Sequence, residues 1–212
     1  MSRSLLTALL CLWSLSAADV KATLEAVERR YNNARTLQVN FEETYLAPGR
    51  GKRTEAGVLY LRKPGRMRWD YTRPPGKLFL SDGRDVYLYT PYDKQVEKMK
   101  LKEADDLRAP LAFLLGRLNF DKEFEHISGQ TEPTGIVVKA QAKSTKLPYK
   151  NVEFHITPDL RMDRIVIYGQ DESVLQFEFS DEKLNPPLAE SLFRFALPPG
   201  ARMVEAAAVP EP

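Results

Sequence analysis

The first regular pattern of apolar positions begins after Asp19, a suitable N-cap residue. Five side chains recur at spacings of four and three residues, which predicts an amphipathic helix with one buried face: Val20, Leu24, Val27, Tyr31 and Ala34. From Leu37 the period changes to two. Apolar and polar residues then alternate as far as Tyr45, which predicts a strand with one buried face.

Strand-sized segments separated by turn residues continue to residue 101. The turns read Lys63-Pro64-Gly65, Pro74-Pro75-Gly76 and Asp82-Gly83, all typical of tight connections. The predicted strands are residues 55–62, 66–72, 77–81, 85–90 and 95–101. Because parallel neighbours need a crossover of about a dozen residues or more, these short turns predict a meander of antiparallel hairpins.

Leucines at helical spacing return between Leu101 and Phe120, but Pro110 and Gly116 interrupt them, so we expect a short, broken helix. Strands are predicted again at 123–128, 135–142, 150–157, 162–169 and 173–181, followed by a helical turn at 189–192 and a short strand at 193–196. So wide a sheet should curl into a barrel or half-barrel. The two helical segments are then the candidates to cover its concave face.

Residues 1–18 have the layout of a secretory signal peptide, with Arg3, an apolar run and small residues at the end. We expect cleavage after Ala18, leaving one domain of residues 19–212 with a frayed tail at 206–212. A lipidated Cys11 is the alternative, although Leu10 is not the small residue such signals prefer. A secreted chain of this size without cysteine indicates a bacterial periplasm.

Composition narrows the possible functions. The chain has 31 Lys and Arg against 29 Asp and Glu, too balanced for capture of nucleic acid through a basic field. With two His and one Cys, the usual zinc, haem and iron–sulfur ligand sets cannot be assembled, so no metal or cofactor is expected. Nucleophile elbows and phosphate loops are missing from the sequence, and both His126 and His155 are interpreted as solvent-facing strand residues.

Several strands are apolar on both faces, as Val58 and Tyr60 alternate with Leu59 and Leu61. Such a sheet is either sandwiched between other elements or lines a cavity. The candidates for a cavity wall are aliphatic and aromatic side chains expected near the concave face: Leu59, Leu61, Met67, Trp69, Tyr71, Leu78, Leu80, Tyr87 and Tyr89.

Two stretches, GVLYLRKPGRMRWDY at Gly57–Tyr71 and SDGRDVYLY at Ser81–Tyr89, resemble the LolA/LolB-like lipoprotein localisation family. PLAFLL at 110–115 and FRFALPPG at 193–200 add to the resemblance. It implies a mainly β fold with helices: an incomplete antiparallel barrel of about eleven strands, covered by a helical lid over a hydrophobic cavity. It also implies a monomeric, non-enzymatic periplasmic carrier that takes lipoproteins from an inner-membrane ABC transporter to an outer-membrane acceptor.

The resemblance assigns roles to particular positions. The cavity candidates would hold acyl chains, and the lid would present Val20, Leu24, Val27, Leu111, Phe113, Leu114 and Leu115. In this family an arginine before the turn proline holds the lid shut by bonding to helix carbonyls. Here that position is Lys63, which lacks the planar fork of arginine. Arg62 is the alternative latch, although strand alternation points it to the opposite face.

Two other functions stay open. A carrier for another lipid or amphiphile would need the same cavity, and the sequence does not name the cargo. A periplasmic hydrolase is the more distant alternative, because no nucleophile accompanies either histidine.

The lid interpretation generates one prediction in the broken helix. Replacing Leu114 with Glu should weaken binding of an acyl probe, because a carboxylate facing an apolar cavity is costly to desolvate. Fluorescence titration with a labelled fatty acid measures the effect. Unchanged binding would show that this helix does not face the cavity.

Overall fold

The structure is a computed structural model that describes residues 16–101, 118–145 and 147–205. Two helices lie within these residues, α1 (Ala17–Asn33) and α2 (Phe120–Glu123), with one 3-10 turn at Glu190–Phe193. The strands are β1 (Thr36–Leu46), β2 (Lys52–Arg62), β3 (Arg66–Arg73), β4 (Pro75–Asp82), β5 (Asp85–Thr90), β6 (Gln95–Lys100), β7 (Phe124–Glu132), β8 (Gly135–Ala142), β9 (Tyr149–Ile156), β10 (Met162–Gly169), β11 (Val174–Leu184) and β12 (Arg202–Glu205).

All described strands belong to one sheet, in the order β12-β6-β5-β4-β3-β2-β1-β11-β10-β9-β8-β7. Each half of the chain forms a meander of neighbouring hairpins, and antiparallel pairing of β1 with β11 joins the two halves. Among these strands only β12 runs parallel to its neighbour, β6. In the described residues β7 and β12 form the two edges, so the sheet does not close. This incomplete barrel has twelve strands in the described residues, one more than the approximately eleven expected.

Most strands lie where the alternation places them, and three have the predicted bounds: β5, β8 and β10. The predicted terminal strand at 193–196 is wrong. Phe193 ends the 3-10 turn, and the last strand comes later, at β12. The signal peptide before residue 16, most of the broken helix (102–117) and the tail at 206–212 lie outside the described residues.

Helix α1 begins earlier than the sequence pattern predicts. Its N-cap is Ser16, whose hydroxyl accepts a bond from the backbone N–H of Asp19 at 3.2 Å. Asp19 lies in the first turn, where a carboxylate is stabilised by the helix dipole. The prediction of Asp19 as the N-cap is therefore wrong. The N-cap is Ser16, three residues earlier, and it accepts a bond from one of the free N–H groups of the first turn.

The inner face of the sheet is the face on which Leu59 and Trp69 lie, and α1 packs against it. Trp69 is fully buried and meets Phe41 edge-on, with ring centroids 4.6 Å apart. Phe177 of β11 contacts Trp69 from the other half of the sheet, at a centroid distance of 5.7 Å. One apolar core thus unites α1 with both meanders.

Part of the outer face, over β2–β5, is covered by the C-terminal strap, the segment 185–201 between β11 and β12. Arg62 and Arg68 donate to the backbone oxygens of Leu188 and Leu192, at 2.7 and 3.2 Å. The ring of Phe195 stacks flat on Tyr87, with centroids 4.3 Å apart. Residues of the predicted terminal strand thus contact the outer face from the strap.

Replacing Trp69 with Ala should destabilise the protein by about 3–5 kcal/mol, because it removes the largest side chain at the junction of the two meanders. Urea unfolding followed by far-UV circular dichroism measures the loss. Tyr92→Ala is the control, since Tyr92 is 95% exposed and its loss should change stability by less than about 0.5 kcal/mol. Equal effects would contradict the central position of Trp69.

Candidate functional site

Five of the predicted wall residues lie together on the inner face. The β2–β3 register pairs Leu59 with Trp69 and Leu61 with Met67, and Tyr71 follows on the same face. All five are buried in the core cluster. Together with Phe41 they form an apolar surface that offers area without directional hydrogen bonds, the chemistry that suits an acyl chain.

The other four predicted wall residues are on the outer face. Trp69 pairs with Phe79, so the neighbouring positions of β4 point outward: Leu78 opposite Asp70, and Leu80 opposite Arg68. Tyr87 and Tyr89 pair with Leu80 and Leu78 and share their face. The prediction that placed Leu78, Leu80, Tyr87 and Tyr89 with Trp69 is therefore wrong. Their places on the inner face are taken by Phe79, Val86 and Leu88.

Helix α1 covers the apolar surface with the predicted stripe. Val20, Leu24 and Val27 are buried in the same core cluster as Trp69. The other predicted lid residues, Leu111, Phe113, Leu114 and Leu115, lie outside the described residues. Leu118, which follows them, is buried against α1, and its backbone is bonded to Asn32 in both directions at 2.7 and 2.8 Å.

Lys63 contacts the last turn of α1. Its ammonium donates to the backbone oxygen of Tyr31 at 2.7 Å. Burial lowers the pKa of Lys63, because the ammonium is partly removed from water where it meets this carbonyl. The carbonyl also accepts the C-cap bond from the Ala34 N–H. Carbonyls at a helix C-terminus attract cations, and Lys63 thus ties the β2–β3 turn to the last turn of α1.

Arg62 does not contact α1. Its guanidinium pairs with Glu190 and lies over the ring of Phe193, both on the strap. Arg66 also pairs with Glu190, at 2.6 Å. The alternative prediction of Arg62 as the latch is therefore wrong, because strand alternation directs Arg62 to the outer face.

A second tie to α1 comes from the other half of the sheet. The Tyr31 hydroxyl donates to Glu182 of β11 at 2.6 Å and accepts from the backbone N–H of Met162 at 3.0 Å. Burial, followed by the nearby Glu182 carboxylate, raises the pKa of Tyr31, so the hydroxyl keeps its proton. Arg30 pairs with Glu182 at 2.6 Å. Tyr31 is thus held at its carbonyl by Lys63 of the β2–β3 turn and at its hydroxyl by Glu182 of β11.

The inner face has little empty space in this arrangement. Two cavities of about 20 Å³ flank Tyr31, one towards Leu61 and Lys63, the other towards Leu59 and Phe179. Each has room for about one water molecule. A larger cleft of about 530 Å³ lies on the outer side, but Arg68, Asp70 and Arg194 line it, which is unsuitable for an acyl chain. Around Tyr31 the inner face therefore has no room for an acyl chain.

The inner face becomes polar at the end formed by the β1–β2 turn. Glu55 is buried there and pairs with Lys77, whose ammonium lies 4.3 Å from the centroid of the Tyr71 ring. Tyr71 therefore marks the point where the apolar surface ends. An acyl chain on this face would extend from Tyr71 towards Leu61, away from the charged end.

His155 is buried, not solvent-facing as predicted, with 6% of its surface exposed. It contacts Asp163 through Nδ1 and Thr134 through Nε2, the latter at 3.1 Å. This order of groups is that of a hydrolytic triad, but a side-chain threonine is an uncommon nucleophile without an N-terminal amine. None of the cavities above is lined by these three residues. We interpret them as a hydrogen-bonded tie between the β7–β8 turn and β10.

Two further kinds of site were sought in the part of the chain that the structure describes. It contains no group of three His, Cys, Asp or Glu side chains placed to hold a metal ion. Its helices include none with the length and apolar run needed to cross a membrane.

An open antiparallel sheet, apolar on its inner face and covered there by an N-terminal helix, defines a LolA-like fold. The family described as "Outer membrane lipoprotein carrier protein LolA" matches residues 32–196, and the chain belongs to this family. Two relatives are named outer-membrane lipoprotein carrier protein. One, from Nitrosomonas europaea, is 28% identical over 96% of this chain and 99% of its own. The other, from Pseudomonas aeruginosa PAO1, is 30% identical over 91% and 92%.

A solved structure of an uncharacterized conserved protein from Thermus thermophilus has a similar fold. It superposes with a TM-score of 0.54 at 15% identity and covers 91% of this chain and all of its own. At this identity the similarity concerns the fold alone.

Replacing Tyr31 with Phe should destabilise the protein by about 1–3 kcal/mol, because it leaves the buried Met162 N–H without a partner and removes one of the two partners of Glu182. Chemical denaturation measures the change. The control is Tyr149→Phe: Tyr149 is equally buried, with its pKa raised to about 12 by burial, and its hydroxyl donates to none of the described residues. A loss as large in the control would mean that Tyr31 acts only as packing.

Proposed function

We propose that this protein is a periplasmic carrier that accepts lipoproteins released from the inner membrane and delivers them to the outer membrane. Membership of the LolA family and the names of its relatives support a lipoprotein-carrier role. The predicted signal peptide supports the compartment. The physical need is clear, since each acyl CH₂ exposed to water costs about 0.8 kcal/mol, and a multiply acylated cargo cannot cross an aqueous space uncovered.

The observation that carries the proposal is the bond from Lys63 to the Tyr31 carbonyl, which fastens a helix over an apolar sheet face. Apolar contact already holds α1 on this face, and the bond from Lys63 adds one directional contact at its C-terminal end. A partly buried ammonium that gives up water for one carbonyl fits a cover that must open. In this proposal the empty carrier is closed by α1, and acyl chains replace α1 on the inner face when cargo is bound.

The proposed partners are the proteins at the two ends of this transfer between membranes. An inner-membrane ABC transporter would supply the cargo and an acceptor lipoprotein at the outer membrane would receive it. Apolar walls hold acyl chains without directional bonds, so the cargo can leave without any chemical step. No catalytic residue enters this mechanism, and the protein acts as a monomer.

Native mass spectrometry of the protein purified from periplasm tests the proposal. A triacylated lipoprotein bound at one-to-one stoichiometry would support it. A phospholipid or other amphiphile would instead favour the alternative carrier function. Protein that carries nothing, and that binds no added acylated peptide, would contradict both.

Replacing Lys63 with Leu should slow the release of cargo to the acceptor by about fivefold, which corresponds to the net ~1 kcal/mol of one hydrogen bond. The bond stabilises the closed, empty state, so its loss shifts the population towards the open, loaded state. The thermal midpoint should stay nearly unchanged, because about 1 kcal/mol shifts the midpoint of a chain of this size by only a few degrees.

Lys63→Arg is the matched restoring variant, since arginine can donate to the same carbonyl, and it should release cargo at close to the normal rate. Lys150→Leu, at an exposed lysine of β9, controls for the loss of charge. A large drop in the midpoint of Lys63→Leu would show instead that Lys63 is structural.

A further inference from the structure

Within the described residues, the polar ties of α1 to the rest of the protein are all in its C-terminal half. Lys63 bonds to the Tyr31 carbonyl, and Glu182 accepts from both Arg30 and Tyr31. Asn32 is bonded in both directions to the backbone of Leu118. One turn earlier, Glu28 accepts from the backbone N–H of Phe120 at 2.7 Å. Residues 28–32 are therefore fixed to the β2–β3 turn, to β11 and to the residues at the start of α2.

The N-terminal half of α1 is attached differently. In the part of the chain that the structure describes, each hydrogen bond of residues 16–27 stays inside the helix or its cap, as with Ser16 and Thr23 to Asp19. Glu25 pairs with Arg29, one turn along the same helix. Val20 and Leu24 hold this half to the sheet by apolar packing. Such contacts are non-directional, so contacts with another apolar surface can replace them at little cost in free energy.

Val20 rests on a glycine of the edge strand β7. A Cβ built on Gly129 would lie 2.5 Å from one methyl carbon of Val20 and 3.6 Å from the Val20 Cβ. A side chain at this position would therefore push the helix off the strand. Gly129 allows the N-terminal half of α1 to lie directly on the β7 backbone.

A groove of about 100 Å³ lies at this same end, between the first turns of α1, the start of α2 and β7. Val20, Leu24, Phe120 and Ile127 supply apolar surface to it, and the charged side chains along it are Lys21, Glu25, Glu28 and Asp121. It is about five times the size of either cavity beside Tyr31.

We propose that acyl chains enter between the N-terminal half of α1 and β7, with Val20 on Gly129 as the contact that opens first. This inference rests on the proposed carrier function and adds the entry site. A saturated acyl chain would replace Val20 and Leu24 on the sheet edge while the ties around Tyr31 still hold. The C-terminal half, with the Lys63 bond, leaves the inner face last, as the chains extend towards Leu61.

A reversible disulfide between positions 20 and 129 tests the entry site. In the Val20→Cys/Gly129→Cys variant the two Cβ atoms would lie 3.6 Å apart, within the range of disulfides, and the cysteine at 20 removes a methyl that a side chain at 129 would meet. Cys11 lies in the predicted signal peptide, so the added pair supplies the only cysteines of the mature chain. The probe is dansyl-labelled undecanoic acid, titrated against oxidised and reduced protein.

The control is Thr44→Cys/Thr54→Cys, a cross-strand pair between β1 and β2 whose hydroxyls lie 3.4 Å apart and which has no bond to α1. We expect oxidation of the 20–129 pair to weaken probe binding at least about tenfold, with full recovery on reduction. Oxidation of the control should leave binding unchanged.

Two other results are decisive. Oxidised 20–129 protein that binds the probe as tightly as its reduced form overturns the entry site and leaves the carrier function standing. Failure of the unsubstituted protein to bind the probe overturns the carrier function, and the entry site with it. Circular dichroism of both redox forms shows that a loss of binding is not a loss of fold.

Discussion

An open sheet with an apolar inner face must have that face covered, and the rest of this structure depends on how α1 covers it. Trp69, Leu59 and Phe41 would expose a continuous apolar surface without the helix. Here apolar packing along α1 is combined with a few hydrogen bonds around Tyr31. The two ends of the helix are therefore attached to the sheet by different kinds of contact.

On the outer face, arginine side chains hold the C-terminal strap by hydrogen bonds and ion pairs. Arg62, Arg66 and Arg68 hold the C-terminal strap through carbonyls and Glu190. These bonds are charge-assisted and several act on the same short segment, which makes the strap a fixed part of the scaffold. The sheet therefore has one face closed by a segment held at many points and one closed by a helix held firmly only at its C-terminal end.

Sequence periodicity predicted most of the strands because hairpins are local, and residues such as Asp82-Gly83 mark their ends. It failed on β4, where Leu78, Phe79 and Leu80 are all apolar and alternation carries no information about the face. The pairing of Trp69 with Phe79 decides it. Tyr31 appeared only as one member of an apolar stripe, since its partner Glu182 is 151 residues away and no local pattern connects them. The contact of Lys63 was anticipated only through the family resemblance.

Pairing of β1 with β11 affects how the chain folds into this sheet. Asn40 and Asp181, bonded across that pair, are 141 residues apart, so the centre of the sheet closes only after nearly the whole chain is available. Until then β1 presents a free edge of eleven residues, and free edges of that length invite pairing with other chains. Assembly is therefore slow relative to the local hairpins, and the unfolded chain is most prone to aggregation before β11 docks.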